Sequence, residues 1–579
     1  MAALDWWVVG LYLASTLALG LWLARRASGG LLDFFVSGRS LPWWLAGTSM
    51  AATTFSVDTP LYVTGVVARR GIAGNWEWWA FALSHVLLIY LFARLWRRAE
   101  VVTDAELTEI RYGGTPAAVL RGARAFLFAV PINCIAIGYV MLAMRKVIEA
   151  LGVIQATPAW LPGDERLWIV VGLSIFVLVY AGLSGLWGVV ATDFVQFGLA
   201  MIGALLVAGY ALVDIGGIVE LKEGLEAMGR SDALRMVPEP GSVDLPIGTF
   251  LAYLGIQWWA WRRSDGGGEF VQRMSAARTE ADAEKAAWLF NLLHYVIRAW
   301  PWILAALAAL VIFPDLADPE MGYPLLMLEY LPVGVLGLVV ASFVAAFMST
   351  VSTQINWGAS YVVNDLWARF VEPDASQERL VLMGRLASVL MVAIGGAAAF
   401  FTEDVGTVFR FVIAIGTGPG AVLILRWFWW RINAWAELAA MLAGFTIALL
   451  TYTGLFPPLD FGARLAVTAF GSGVVWITVM YLTKPESEER LEIFYRRVRP
   501  GGPGWKRFRE RTGVEPETEL GSDLVRTLGA VLVLFGLLFA FGGAMLFEWQ
   551  AAATSALVAA AGLWIMRVAA GRLAKTAKA

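Results

Sequence analysis

Thiol and imidazole are scarce in this chain, with one cysteine, Cys134, and two histidines, His85 and His294, all inside apolar stretches. A lone cysteine closes no disulfide within the chain, and so few of these side chains support neither a His/Cys metal site nor a Cys-His dyad. Each reads as a packing residue. Charge is scarce as well: Asp, Glu, Lys and Arg make up 16% of the 579 residues, and the formal net charge is −2. That near-balance implies no bulk basic or acidic partner such as nucleic acid. With no nucleophile-base pair at a believable spacing, the chain is not expected to be an enzyme.

What the sequence has instead is apolar surface. Apolar residues reach 59%, against about 45–50% in soluble globular proteins, and one soluble core cannot hide that excess. The 59 glycines, 28 tryptophans and 32 phenylalanines suit close helix contacts and aromatic anchors at a bilayer surface. Membrane lipid is the expected surrounding. Roughly fifteen apolar stretches, each near the ~20 residues that cross a bilayer, follow one another from Asp5–Ala24 to Ala551–Val568.

The first stretch has no basic residue before it and Arg25-Arg26 directly after it. A secretory signal carries its positive charge first, so this is read as an uncleaved span with an external N-terminus. The lysines and arginines favour the same orientation. Arg39, Arg97, Arg98, Arg262, Arg263, Arg273 and Arg278 fall in joints that would be cytoplasmic, whereas Arg69, Arg70, Arg145, Lys146 and Lys222 fall in external ones. The expected placement is an inner or plasma membrane, with the C-terminus cytoplasmic. The basic stretch around Arg496 reads as an orientation signal and a lipid-facing patch.

This gives a leading helix and joint over 1–40, a first repeat over 41–215, an external loop over 216–245 and a second repeat over 246–431. Two further helices follow over 432–483, then a basic cytoplasmic loop over 484–523 and two C-terminal helices over 524–579. The expected fold class is an all-α polytopic membrane protein with a 5+5 inverted-repeat core. Such repeats place a binding site where the first helix of each half is broken. Thr53-Thr54-Phe55-Ser56-Val57-Asp58-Thr59-Pro60 interrupts the first core helix, and Arg262-Arg263-Ser264-Asp265-Gly266-Gly267-Gly268 follows the sixth. Irregular backbone at membrane depth is tolerated around a cavity; the plainer readings are a proline kink and a cytoplasmic loop.

Ala346, Ser349, Thr350 and Thr353 share one helix face, spaced i, i+3, i+4 and i+7. Their hydroxyls, with carbonyls from a broken neighbour, form an oxygen cage suited to a weakly bound hard cation such as Na+, or else they bond to their own backbone. Asp193 is the clearest intramembrane carboxylate, and a functional partner is its default reading. Glu77 stands at the outer start of its span. Asp58 either faces the cavity or caps a half-helix.

At these residues the sequence resembles the sodium:solute symporter family, whose members share a LeuT-like inverted-repeat fold. The resemblance runs from about Asp5 to Leu482. It rests on Asp33-Phe34-Phe35-Val36-Ser37-Gly38-Arg39-Ser40-Leu41, on Gly182-Leu183-Ser184-Gly185-Leu186-Trp187 leading to Thr192-Asp193, on Gln272-Arg273-Met274-Ser275-Ala276-Ala277, and on Ala345–Thr353. It implies sodium-coupled symport and a sodium site built from the carbonyls of Ala52, Phe55 and Ala346 with the side chains of Ser349 and Thr350. A second sodium site, known in some members, would use Asp193, Ser352 and Thr353 and share Ser349. Substrate would touch Thr54, Ser56, Thr59 and Glu77, with Asp58 in the interrupted stretch and Trp258 as a stacking surface.

Two departures keep the substrate open. Proline-transporting relatives carry aspartate where this chain has Thr54, and sugar-transporting relatives carry hydrogen-bonding side chains where it has Trp258-Trp259-Ala260-Trp261-Arg262-Arg263. The glycine run Gly266–Gly268 and Leu425-Arg426-Trp427-Phe428-Trp429-Trp430-Arg431 suggest a separate branch. The expected function is sodium-coupled symport of a small organic solute, either a neutral amino acid such as proline or a sugar or polyol. The alternative is a solute sensor or channel-like protein on the same fold.

Overall fold

Two interruptions of the backbone, one in each half of the chain, set the architecture around which the other helices pack. The computed structural model describes residues 1–23, 30–152, 163, 165–399, 405–453, 455–517 and 519–576, with side chains at 180–184 and 571–576 excepted. Among them there is no strand, and the isolated bridges Leu41–Ala277 and Trp261–Thr417 both lie beside the second interruption.

Nine described helices are long and apolar enough to cross a membrane. A bent pair, Ile72–Trp79 and Ala82–Ala99, turns by 44° and makes a tenth if taken as one span. The elements used below are α1 (Ala3–Leu23), α2 (Trp43–Thr53), α3 (Asp58–Arg70), α4 (Gly185–Ile215), α5 (Glu269–Ala276), α6 (Glu280–Ile312), α7 (Val335–Val371), α8 (Leu520–Met545) and α9 (Trp549–Ala570). The difference from roughly fifteen apolar stretches has a physical cause. The interrupted stretches divide into pieces too short to count, and Val405–Ile415 and Ala434–Leu450 are apolar but short.

Leu41–Val67 divides between α2 and α3, with Thr54, Phe55, Ser56 and Val57 between them. Pro60 lies in the first turn of α3. There its missing N–H costs no hydrogen bond, so the proline starts a half-helix and does not kink a continuous one. Pro246–Trp261 divides into Ile247–Ala252, a π-turn over Tyr253–Gln257, and one short turn at Trp258–Ala260. The chain then runs irregularly to α5. Gly266 and Gly268 have φ of 77° and 78°, a region other residues rarely enter, and a side chain at Gly266 would collide with Leu88.

That irregular run is a buried junction. Asp265 accepts from Arg426 at 2.7 Å and from the Trp427 indole at 2.9 Å, and its carbonyl accepts from Trp96 at 2.6 Å. Arg426 continues to Glu437 at 3.0 Å, Glu437 to Arg124 at 2.6 Å, and Arg124 to Asp104 at 2.6 Å. The glycine run and the Leu425–Arg431 motif therefore meet in space, although more than a hundred and fifty residues separate Asp265 from Arg426.

Several basic residues read as loop charges lie inside the bundle. Arg262 and Arg273 are 4% and 0% exposed. Lys146 is buried against Glu320 at 2.5 Å and Asp318 at 2.9 Å. A buried cation, paired or not, carries little topological information, so the orientation count loses these members; Arg25 and Arg26 lie outside the described residues. The basic loop is also folded onto the protein. Leu491, Phe494, Tyr495, Val498, Trp505 and Phe508 are buried, and the Trp505 indole donates to the Trp427 carbonyl at 2.7 Å.

The two C-terminal helices form a close hairpin because small residues line it. Backbone atoms of Gly562, Ala559 and Ala552 lie where side chains at Gly529, Gly536 and Gly543 would stand, a spacing that lets helices approach at backbone distance. α8 is docked on the core: Phe535 stacks on Trp76 with ring centroids 5.4 Å apart, and Trp300 donates to the Leu538 carbonyl at 3.1 Å.

Candidate ion and solute site

A helix C-terminus leaves carbonyls without intrahelical donors, and the end of α2 shows where they go. The Ala51 carbonyl accepts from Arg298 Nη1 at 2.9 Å, and the Thr54 carbonyl accepts from Arg298 Nη2 at 2.8 Å. A guanidinium is favoured at this negative end of the helix dipole. The Ala52 carbonyl accepts from the Phe55 amide at 3.3 Å. The Phe55 carbonyl accepts from the Thr350 hydroxyl of α7 at 3.0 Å. Phe55, Ser56 and Ala346 border one small void of about 10 Å³. The break in α2–α3 and the hydroxyl face of α7 are thus directly opposed.

Ser349 donates to Asp193 Oδ1 at 2.6 Å, and Ser49 of α2 donates to Asp193 Oδ2 at 2.5 Å. Ser352 donates to the Ser349 carbonyl at 3.0 Å, one turn back on its own helix. Thr353 receives Arg273 Nη2 at 2.8 Å, and that same nitrogen reaches Thr53 at 3.1 Å and lies 3.7 Å from Asp193 Oδ2. Asp193 and Arg273 are both fully buried. The Asp193 carboxylate and the Thr353 hydroxyl therefore surround a guanidinium.

Beside the break lies a cavity of about 160 Å³. Thr54, Ser56, Asp58 and Thr59 line it from α2–α3, Thr350 and Gln354 from α7, and Arg262 and Glu269 from the second interruption. Trp78, Phe81, Tyr139, Phe270 and Phe409 supply aromatic wall. Thr54 Oγ1 lies 2.8 Å from His294 Nδ1, and Arg298 Nη2 lies 3.4 Å from His294 Nε2. This arrangement satisfies the ring with the hydrogen on Nδ1. The hydroxyl of Ser56, Asp58 Oδ1 and His85 Nε2 have no hydrogen-bond partner.

Two expected contacts lie elsewhere. Glu77 is buried, but its carboxylate pairs with Arg70 at 2.8 Å and Arg410 at 3.9 Å, and Arg70 and Arg410 border a separate cavity with Arg464. The Trp258 indole donates to the Leu254 carbonyl at 2.8 Å, and Trp258 is not in the central lining; Trp261 is. One turn of helix separates the two tryptophans, and the turn ends at Ala260, so of the two it is Trp261 that borders the cavity. His85, His294, Arg262 and Arg298 also line the cavity, although the histidines read as packing and Arg262 as loop. The available signal was arginine within or next to an apolar run, which is costly without a partner or a function.

A family model described as "Sodium:solute symporter family" matches residues 34–444. The sodium/glucose cotransporter of Vibrio parahaemolyticus is 26% identical over 482 residues, which cover 78% of this chain and 85% of that protein. The sodium/myo-inositol cotransporter 2 of Homo sapiens is 26% identical over 501 residues, covering 78% and 71%. A solved outward-open, substrate-bound structure of a Na+-coupled sialic acid symporter aligns with a TM-score of 0.68 at 20% identity, over 84% of this chain and 99% of that one. At that identity the shared property is the fold.

Proposed function

Because this chain belongs to the sodium:solute symporter family, a family of sodium-coupled multi-pass membrane transporters and not of enzymes, we propose that it carries one small organic solute with sodium by alternating access. The observation that carries this reading is the 3.0 Å contact between the Phe55 carbonyl, freed by the broken helix, and the Thr350 hydroxyl of α7. A sodium ion here takes the carbonyls of Ala52, Phe55 and Ala346 and the side chains of Ser349 and Thr350. Its ligands come from helices that separate when the protein opens inward. Sodium therefore binds one state better than the other, and only such a difference shifts a conformational equilibrium.

The solute occupies the cavity beside Thr54, Ser56, Asp58 and Thr59, with a small amino acid and a sugar or polyol as the two candidate classes. The Arg273 guanidinium, 3.7 Å from Asp193 Oδ2 and 2.8 Å from the Thr353 hydroxyl, would compete with a second cation there, which supports coupling to one sodium. Inverted-repeat symmetry and an external N-terminus complete the proposal. Solute accumulation in proteoliposomes under an imposed sodium gradient tests it. Sodium-independent equilibration, or solute binding without accumulation, would instead favour the channel-like or sensor reading.

A further inference from the structure

Four arginines approach the central cavity region, and three of them are partnered. Arg263 is paired with Glu269, Arg298 holds the Ala51 and Thr54 carbonyls, and Arg273 faces Asp193. Arg262 is the exception. It is 4% exposed, and its backbone is fixed by donation of its amide to the Gly416 carbonyl at 2.8 Å. Its guanidinium forms no ion pair with any described residue, and Nη1 has no hydrogen-bond partner. Its neighbours include the rings of Trp261 and Phe128, with centroids 5.9 and 6.0 Å away, and Glu269, which is already paired with Arg263.

Asp58 lines the same cavity from the first turn of α3. It too has no ion pair among the described residues, and Oδ1 is buried without a hydrogen-bond partner; the cation that acts on it through space is Arg298, whose guanidinium is engaged with the Ala51 and Thr54 carbonyls. Burying a charge without a counter-charge is among the most costly arrangements a protein can adopt. Here two opposite charges face one cavity and do not pair with each other. A ligand that carries both complements resolves both costs at once. A neutral polyol leaves each side chain with only hydrogen bonds.

Resting on the proposed symport reading, we infer that the solute is a small zwitterionic α-amino acid whose carboxylate is held by Arg262 and whose ammonium is held by Asp58. The planar guanidinium fork matches a carboxylate, and the start of α3 holds Asp58 where its negative charge suits the helix dipole. Phe81, Trp78, Tyr139, Phe270 and Phe409 accept an apolar side chain. The cavity, about 160 Å³, is close to the ~150 Å³ of an engineered cavity that binds benzene, which sets the scale at a small solute.

The test is ligand binding to the purified full-length chain in detergent with sodium chloride, read by isothermal titration and thermal shift and needing no transport. The panel is glycine, L-alanine, L-proline and L-leucine; their methyl esters; acetate and propionate; and glucose and myo-inositol. At least one free amino acid binds, and its ester and its carboxylate-only analogue bind at least about tenfold more weakly, since charge-assisted contacts are lost. Arg262→Gln and Asp58→Asn each weaken that amino acid by about ten- to a hundredfold, and Arg262→Lys recovers part of the loss. Folding of each variant is checked by size exclusion, and the wild-type panel stands without them. Binding of glucose or myo-inositol but no amino acid overturns the inference, as does equal binding of acid and ester, or no amino-acid binding to folded wild type. Amino-acid binding without sodium-driven accumulation leaves the inference intact and refutes the symport reading.

Discussion

The guanidinium beside Asp193 makes the coupling ratio a number that can be worked out. A sodium ion placed on Asp193 would share that carboxylate with Arg273 Nη2, which lies 3.7 Å from Oδ2. Two like charges about 4 Å apart at an effective dielectric near 20 repel by about 4 kcal/mol, roughly a thousandfold in affinity. The expected outcome is that the second site is suppressed while Arg273 stays in place and that the wild type moves one sodium per zwitterionic or neutral solute. One charge gains about 2.3 kcal/mol per 100 mV, and a tenfold sodium gradient adds about 1.4 kcal/mol. Together they sustain about a 500-fold solute gradient, whereas two ions would sustain more than about 10⁵-fold. Reversal potentials in proteoliposomes, measured at several sodium and solute gradients, read the ratio directly. Arg273→Gln removes the repulsion and leaves Asp193, Thr53 and Thr353 as open oxygen donors, so a variant that still transports moves toward two sodium ions. A wild-type ratio of two refutes the reasoning, because sodium would then share the cage with the guanidinium.

Other expectations address the remaining parts. Thr350→Val keeps the side-chain shape and removes the hydroxyl that meets Phe55, so the sodium concentration for half-maximal uptake rises by about tenfold; an unchanged sodium dependence assigns Thr350 to helix packing. Trp261→Ala weakens solute binding in equilibrium titrations, while Trp258→Ala, outside the cavity lining, changes it by less than about twofold; the reverse order refutes the placement. Gly536→Leu pushes α8 from α9 and lowers the thermal midpoint in detergent, whereas Gly248→Ala, with open space around it, lowers it less. A cysteine at Ala3 in a Cys134→Ser background is labelled by an impermeant thiol reagent on intact cells; labelling only after permeabilisation overturns the external N-terminus.

The interruption of the first core helix was legible in sequence because its causes are local: Thr53 to Thr59 offer competing side-chain bonds, and Pro60 permits a helix to begin but not to continue. The hydroxyl face of Ala346, Ser349, Thr350 and Thr353 was legible for a similar reason, being set by helical period alone. Arg262 and Arg273 were misread because they flank the glycine run Gly266–Gly268 at a distance of a few residues, a stretch with the composition of a loop, and burial is decided by partners distant in sequence, such as Gly416 and Thr353. The docking of the 484–523 segment was hidden likewise. Its basic residues are visible in composition, but the seat for Trp505 is made by Trp427. Trp258 and Trp261 are separated only by where a short turn stops, which no periodicity dictates.

Arg298 has a mechanical consequence. It projects from α6 and grips both the Ala51 and Thr54 carbonyls, so the loose end of α2 is clamped to α6 as to a handle. Under the proposed alternating access, the unwound segment would ride with α6, while Thr350 belongs to α7. Inward opening of that kind would not have to melt or rewind the break; it would only have to draw two plates apart along the seam where Phe55 meets Thr350. An ion seated in that seam would act as a latch, and its departure would let the plates slide.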